Sequence, residues 1–107
     1  MAKFTTTLSG DFDHWVSKIQ RGILQQSASA SLEDSWDMRQ GDSRCAVRVF
    51  ERYSYTGQNR VSMSVTFFQD GGPIHLCAIT SGGSQALFFK LNTWGEESFL
   101  DTLKVLI

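Results

Sequence analysis

Residues 2–8, AKFTTTL, alternate, with Phe4 and Leu8 on one parity, and this period of two predicts a first strand. After Ser9-Gly10-Asp11 the period lengthens. Phe12, Trp15, Val16, Ile19 and Ile23 then fall on one stripe of a helix that runs to about Gln26. Asp11 is placed to cap it, because its carboxylate can accept from the free N–H groups of the first turn. From Ser27 the period returns to two. Ala28, Ala30, Leu32, Trp36 and Met38 share one parity, as do Cys45, Val47, Val49, Tyr53 and Tyr55. Val61, Met63, Val65 and Phe67 make a fourth strand, and Ile74, Leu76 and Ala78 a fifth. The segments between them, QGDS, YTGQN and QDGG, carry turn chemistry.

Register follows from matching apolar positions across each turn, since a slip of one residue reverses every side chain. A turn at Gly41-Asp42 sets Met38 against Cys45 and Trp36 against Val47. One at Asp70-Gly71 sets Phe67 against Ile74 and Val65 against Leu76. The segment TSGGSQ, residues 80–85, could offer backbone N–H groups to a phosphate, but that use wants a helix and a lysine directly afterwards. Read as a hairpin at Gly82-Gly83, it sets Ala78 against Leu87 and Leu76 against Phe89, and QALFFKL becomes a sixth strand. Thr93 and Glu96 then fit a capping box, followed by a helical stripe of Phe99, Leu100, Leu103, Leu106 and Ile107. The expected fold is α+β, β-α-β5-α: one domain over residues 1–107, a curved antiparallel meander sheet with two helices on one face.

That order resembles small helix-grip folds, in which a C-terminal helix closes an apolar cavity over a curved sheet. It also resembles the TATA-binding-protein-like β-α-β4-α arrangement, which the expected fold exceeds by one strand. The wording SGGSQALFFKLNTWGEESFLDTL is similar to an uncharacterised family of small bacterial proteins. The resemblance supplies no catalytic motif.

Ten basic against eleven acidic residues, with no basic run, argue against a nucleic-acid binder that works by phosphate neutralisation. No apolar run is long enough to span a bilayer, and the first residues lack the apolar core of a signal peptide, so a cytoplasmic location is the default expectation.

Two carboxylates stand out. Asp34 and Glu51 occupy the parity that is otherwise apolar, and the register places them diagonally on one face. If that face lies under the helices, desolvation and like charge would raise at least one pKa. A β-bulge turning one of them outward is the plainer alternative. With Trp36, Tyr53, Met63 and Leu103 they would line a ligand site in the cleft between sheet and helices. The opposite face collects Arg39, Arg44, Arg48, Arg52 and Arg60, together with a cross-strand row of Phe50, Ser64, Cys77 and Phe88, with Ile79 adjacent. Such a row can mark a partner surface or a homodimer interface. Cys45 and Cys77 are expected on opposite faces, hence unbonded. His14 and His75, on different elements without ligands at metal spacing, predict no metal site, and no cofactor is expected. Three functions follow from these placements. The first is non-enzymatic binding of a small apolar or amphipathic ligand in the cleft. The second is protein interaction or homodimerisation through the open sheet face, and the third is acid–base catalysis by Asp34 and Glu51.

Overall fold

The cap and stripe of the first helix set the layout. In the computed structural model, which describes residues 1–54, 59–82 and 89–107, the Asp11 carboxylate accepts the His14 N–H at 2.8 Å. It opens α1 (Phe12–Gln26), whose buried stripe is Phe12, Val16, Ile19 and Ile23. The strands are β1 (Ala2–Leu8), β2 (Ser31–Gln40), β3 (Ser43–Ser54), β4 (Asn59–Asp70) and β5 (Ile74–Gly82), and α2 (Phe89–Lys104) follows. All pairings are antiparallel, in the order β1-β5-β4-β3-β2. Among the described residues no helix is long and apolar enough to cross a membrane.

The expected sixth strand is corrected. Residues 83–88 lie outside the described residues, and Phe89–Leu91 open α2 instead. The flank of β5 is taken by β1, so Ala78 pairs with Phe4 and Leu76 with Thr6. Gly82 is the last residue of β5, opposite Val61, rather than the first of a hairpin turn. A short apolar run such as LFFKL fits either period, and β1 already offers β5 the apolar positions a sixth strand would supply. Among the described residues the order is therefore β-α-β4-α. Because α2 begins at Phe89, Thr93 lies inside it and opens no helix.

Gly41-Asp42 turns β2 into β3 with Met38 against Cys45 and Trp36 against Val47, as expected, and Gly41 supplies the positive φ of 58°. Between β4 and β5 the partners slide by one pair on the same face. Phe67 meets Leu76, Val65 meets Ala78, and Gln69 and Ile74 close the ladder. Pro73 lacks the N–H needed to extend that ladder toward the turn. Because the slide keeps parity, the face assignments of both strands stand.

In β3 they reverse. Its buried residues are Ala46 and Phe50, packed with Val61, Met63, Val65 and Phe67 of β4 beneath the helices. Cys45, Val47, Val49, Glu51 and Tyr53 lie on the other face. The helix-side parity of β3 looks polar because its flanking positions are arginines, yet each arginine closes the margin of the core. The Arg44 guanidinium sits 4.3 Å from the Phe12 ring centroid and binds Asp13 at 2.5 Å. Arg48 donates to Gln20 and to Asp37, both at 3.0 Å. Arg52 lies 4.8 Å over the Phe99 ring and donates to Ser98 at 2.8 Å. Burial pushes the Arg52 pKa down from its ordinary value. Long arginine stems cover apolar surface while their heads reach polar partners.

The Arg44 contact has a pH consequence. Its hydrogen bond to Asp13, opposed by a smaller desolvation effect, holds that carboxyl below its ordinary value of 3.8. A folded-state pKa below the unfolded one stabilises the fold fully above that value, and the gain is lost as pH falls through the folded-state pKa. Asp13 is 71% exposed, so the effect stays within the ~0.2–1 kcal/mol of exposed pairs. Asp13→Asn should remove that ~0.2–1 kcal/mol at neutral pH and flatten the stability profile of urea titrations below pH ~4.

Helix α2 is tied down through Glu96, which is buried. One carboxylate oxygen accepts the Gly82 N–H at 2.9 Å and the other the Met1 ammonium at 2.5 Å. The buried Thr80 hydroxyl donates to the Glu96 carbonyl at 3.2 Å. Phe99, Leu100 and Leu103 complete the core from this side.

Candidate functional site

With both helices on one side, the described residues leave the other face of the sheet open, and three cross-strand rows define it. The first runs Asp34–Val49–Ser64–Ile79–Lys3. The second runs Trp36–Val47–Thr66–Cys77–Thr5, and the third Met38–Cys45–Phe68–His75–Thr7. Trp36, Met38, Phe68 and Ile79 are all large, apolar and exposed. A domain of this size has no structural need to present four such side chains on one face, and contiguous apolar surface of this kind marks a contact site.

The face is uneven. A depression of about 580 Å³ lies over β1, β5 and β4, where the short side chains of Thr5, Thr7, Thr66 and Cys77 lie beside the Phe68–His75 pair. Two smaller ones, of about 260 and 250 Å³, lie at Met38–Cys45–Phe68 and at Asp34–Trp36–Val47–Val49. All three open on this face, so the β1 side is hollow and the β2 side bulky.

The expected site residues divide across the sheet. Asp34, Trp36, Glu51 and Tyr53 are on the open face, whereas Met63 and Leu103 are fully buried on the helix side. The backbone of the sheet separates the two groups, so the six residues cannot line one cleft. Asp34 and Glu51 do lie diagonally on one face, as the register implied, since Asp34 pairs with Val49. A register shift between Leu32 and Asp34 returns Leu32 to the core side opposite Phe50. Asp34 is exposed and Glu51 half-buried, with the Glu51 carboxylate held by Arg60 at 2.9 Å. The burial on which acid–base tuning was to rest is not there, and among the described residues no nucleophile or base lies in hydrogen-bond contact with either group.

The expected interface row is also rearranged. Phe50 is a core residue with no exposure, and its partner is Met63 rather than Ser64. Cys77 and Ile79 do belong to the open face, and Phe88 lies outside the described residues. Arg39, Arg44, Arg48 and Arg52 have helix-side parity, which leaves only Arg60 of that set on the open face. Sequence reasoning missed Val47, Val49, Thr66, Phe68 and Met38 as surface-forming residues. The signal that could have found them is the arginine spacing 44, 48, 52 around Ala46 and Phe50, a rim pattern rather than a solvated one.

Both thiols are free and both lie on the open face, which corrects their expected opposition. The reason they stay unbonded is distance. With β4 between them and a two-residue offset, their Cα atoms are roughly 12 Å apart, beyond the ~7 Å limit for a bridge. Thiol titration of denatured monomer without reductant should count two per chain. A count of zero would contradict the strand order. Among the described residues no cluster of histidine, cysteine or carboxylate could hold a metal.

The family model of DUF6054, a family of unknown function, matches residues 1–107. No curated protein matches the sequence. Among solved structures, the chain is similar in fold to protein PA94 from Pseudomonas aeruginosa, a protein of unknown function for which a regulatory role has been suggested. The TM-score is 0.53 at 11% identity, covering 95% of this chain and 81% of that one, a likeness of fold alone.

Proposed function

The chain belongs to DUF6054, a family of unknown function, so its role has to be read from its own surfaces, and we propose that it is a non-enzymatic cytoplasmic binding module acting through the open face of its sheet. The observation that carries this reading is the exposure of Trp36, Met38, Phe68 and Ile79 on one face whose three depressions all open to solvent. The helix side is committed to core packing. Ligand capture between sheet and helices would have to displace residues such as Met63, Phe99 and Leu103, each without exposure.

Native mass spectrometry of the protein as purified from cells tests the proposal against a Thr66→Arg variant. Thr66 is half-buried at the centre of the face, in the middle row. An arginine there adds a charge to the contact surface without entering the core. The expected result is an associated species, lost in the variant while its melting temperature stays close to that of the parent. A small apolar molecule retained equally by both proteins would move the site to the helix side. Bare monomer in both samples would overturn the proposal.

A further inference from the structure

We infer that the occupant of the open face is a second copy of this chain, packed face to face about a two-fold axis parallel to β4, with Trp36 of each copy seated in the threonine-lined hollow of the other. The inference rests on the open-face reading above and specifies its partner.

The three rows carry the argument. A two-fold axis along β4 lays each row on its own reverse. Asp34 then meets Lys3 of the second copy, Val49 meets Ile79, and Ser64 meets Ser64. Neither Asp34 nor Lys3 has an ionic partner among the described residues, and both are exposed. Each copy thus supplies an acid at one end of the row and a base at the other, giving two charge pairs per dimer at the rim. Rim charges of this kind fix register more than they add affinity.

The middle row supplies shape. Reversed on itself, it places Trp36, 55% exposed, over Thr5 and Cys77 of the other copy, where the 580 Å³ depression lies. A buried indole needs an acceptor for its N–H, and the hydroxyls of Thr5, Thr7 and Thr66 provide several. The third row pairs Phe68 with Phe68 and Met38 with Thr7. The alternative two-fold, across the strands, would stack Trp36 on Trp36, leave the hollow empty and pair Lys3 with Thr7. Only the axis along β4 matches bulk to hollow and acid to base together.

Extent is also sufficient. Five strands about 4.8 Å apart and about nine residues long at ~3.4 Å make a face of roughly 700 Å², close to the ~800 Å² per partner of a standard interface. Aligned sheets pack in this way at about 10 Å with an angle near −30°, set by their twist.

Sedimentation equilibrium of the full chain tests it. The wild type should sediment as a dimer, and Trp36→Ala should weaken association at least tenfold while the melting temperature in protein dilute enough to be monomeric stays unchanged. Lys3→Asp and Asp34→Lys should each weaken it, and the two together in one chain should restore it, a rescue that a merely structural role for either residue would not give. A wild-type monomer at the highest attainable concentration overturns the second-copy assignment. If Thr66→Arg still strips a different bound molecule in native mass spectrometry, the open-face reading survives that result. A dimer indifferent to Trp36→Ala, with no charge rescue, overturns the geometry. If that dimer also ignores Thr66→Arg, the open-face reading falls with it.

Discussion

Replacing Phe50 with serine should destabilise the domain by about 4–6 kcal/mol, the sum of a large-to-small core truncation and a buried hydroxyl. Phe50 is fully buried between Met63 and the helix layer, so its loss leaves a cavity that the surrounding core cannot close. Whole-domain stabilities are of the order of 5–15 kcal/mol, and the variant should sit near its unfolding midpoint without denaturant. Val49→Ser, one position away on the opposite face, should cost less than ~1 kcal/mol, the range for substitutions outside the core. Urea denaturation of the two variants decides which parity of β3 is core. If Val49→Ser were the costly change, the face described here as open would be the buried one.

Glu96→Ala is the second large effect, about 2 kcal/mol. The carboxylate is buried and holds the Gly82 N–H and the Met1 ammonium together. Breaking a fully buried ion pair costs about 3–5 kcal/mol, because the surviving charge is stranded. Here the ammonium is 71% exposed and regains water, so the cost comes mainly from the Gly82 N–H left without a partner, about 1–3 kcal/mol. Glu96→Gln keeps an acceptor for that N–H and should lose only about half as much. Thermal melts of both variants check the order. Equal losses would mean that the charge on Glu96, rather than the Gly82 contact, holds α2 to the end of β5.

What was legible in the chain depended on whether one period ran unbroken with one kind of side chain. In α1 the stripe from Phe12 to Ile23 is apolar throughout, and cap, face and extent were all readable. In β4 and β5 the alternation is equally clean, so even a slide of one pair left the faces right. β3 failed because arginine is both charged and long. Arg44, Arg48 and Arg52 made the buried parity look solvated, and Cys45, Val47 and Val49 made the open parity look buried. The register shift at Glu33 hid the conflict, because it lets Leu32 face the core while Trp36 and Met38 do not. The Thr93–Glu96 spacing matched a local motif, but Glu96 takes its partners from residues distant in sequence. Local patterns cannot reveal that kind of contact. For the candidate site, the pairing of Asp34 with Val49 and its diagonal relation to Glu51 were read correctly, and the side of the sheet was not.

The native thiols give the most direct test of the claim that the open face is a contact surface. Cys45 and Cys77 both lie on it, half-buried, and neither is on the helix side. Their alkylation rates should be measured by mass spectrometry across a dilution series of the native protein, with sedimentation mass followed in parallel. Both thiols should react in dilute protein and become protected together as the mass doubles. Alkylation rates that stay constant while the mass doubles would place the contact elsewhere on the molecule and contradict the account.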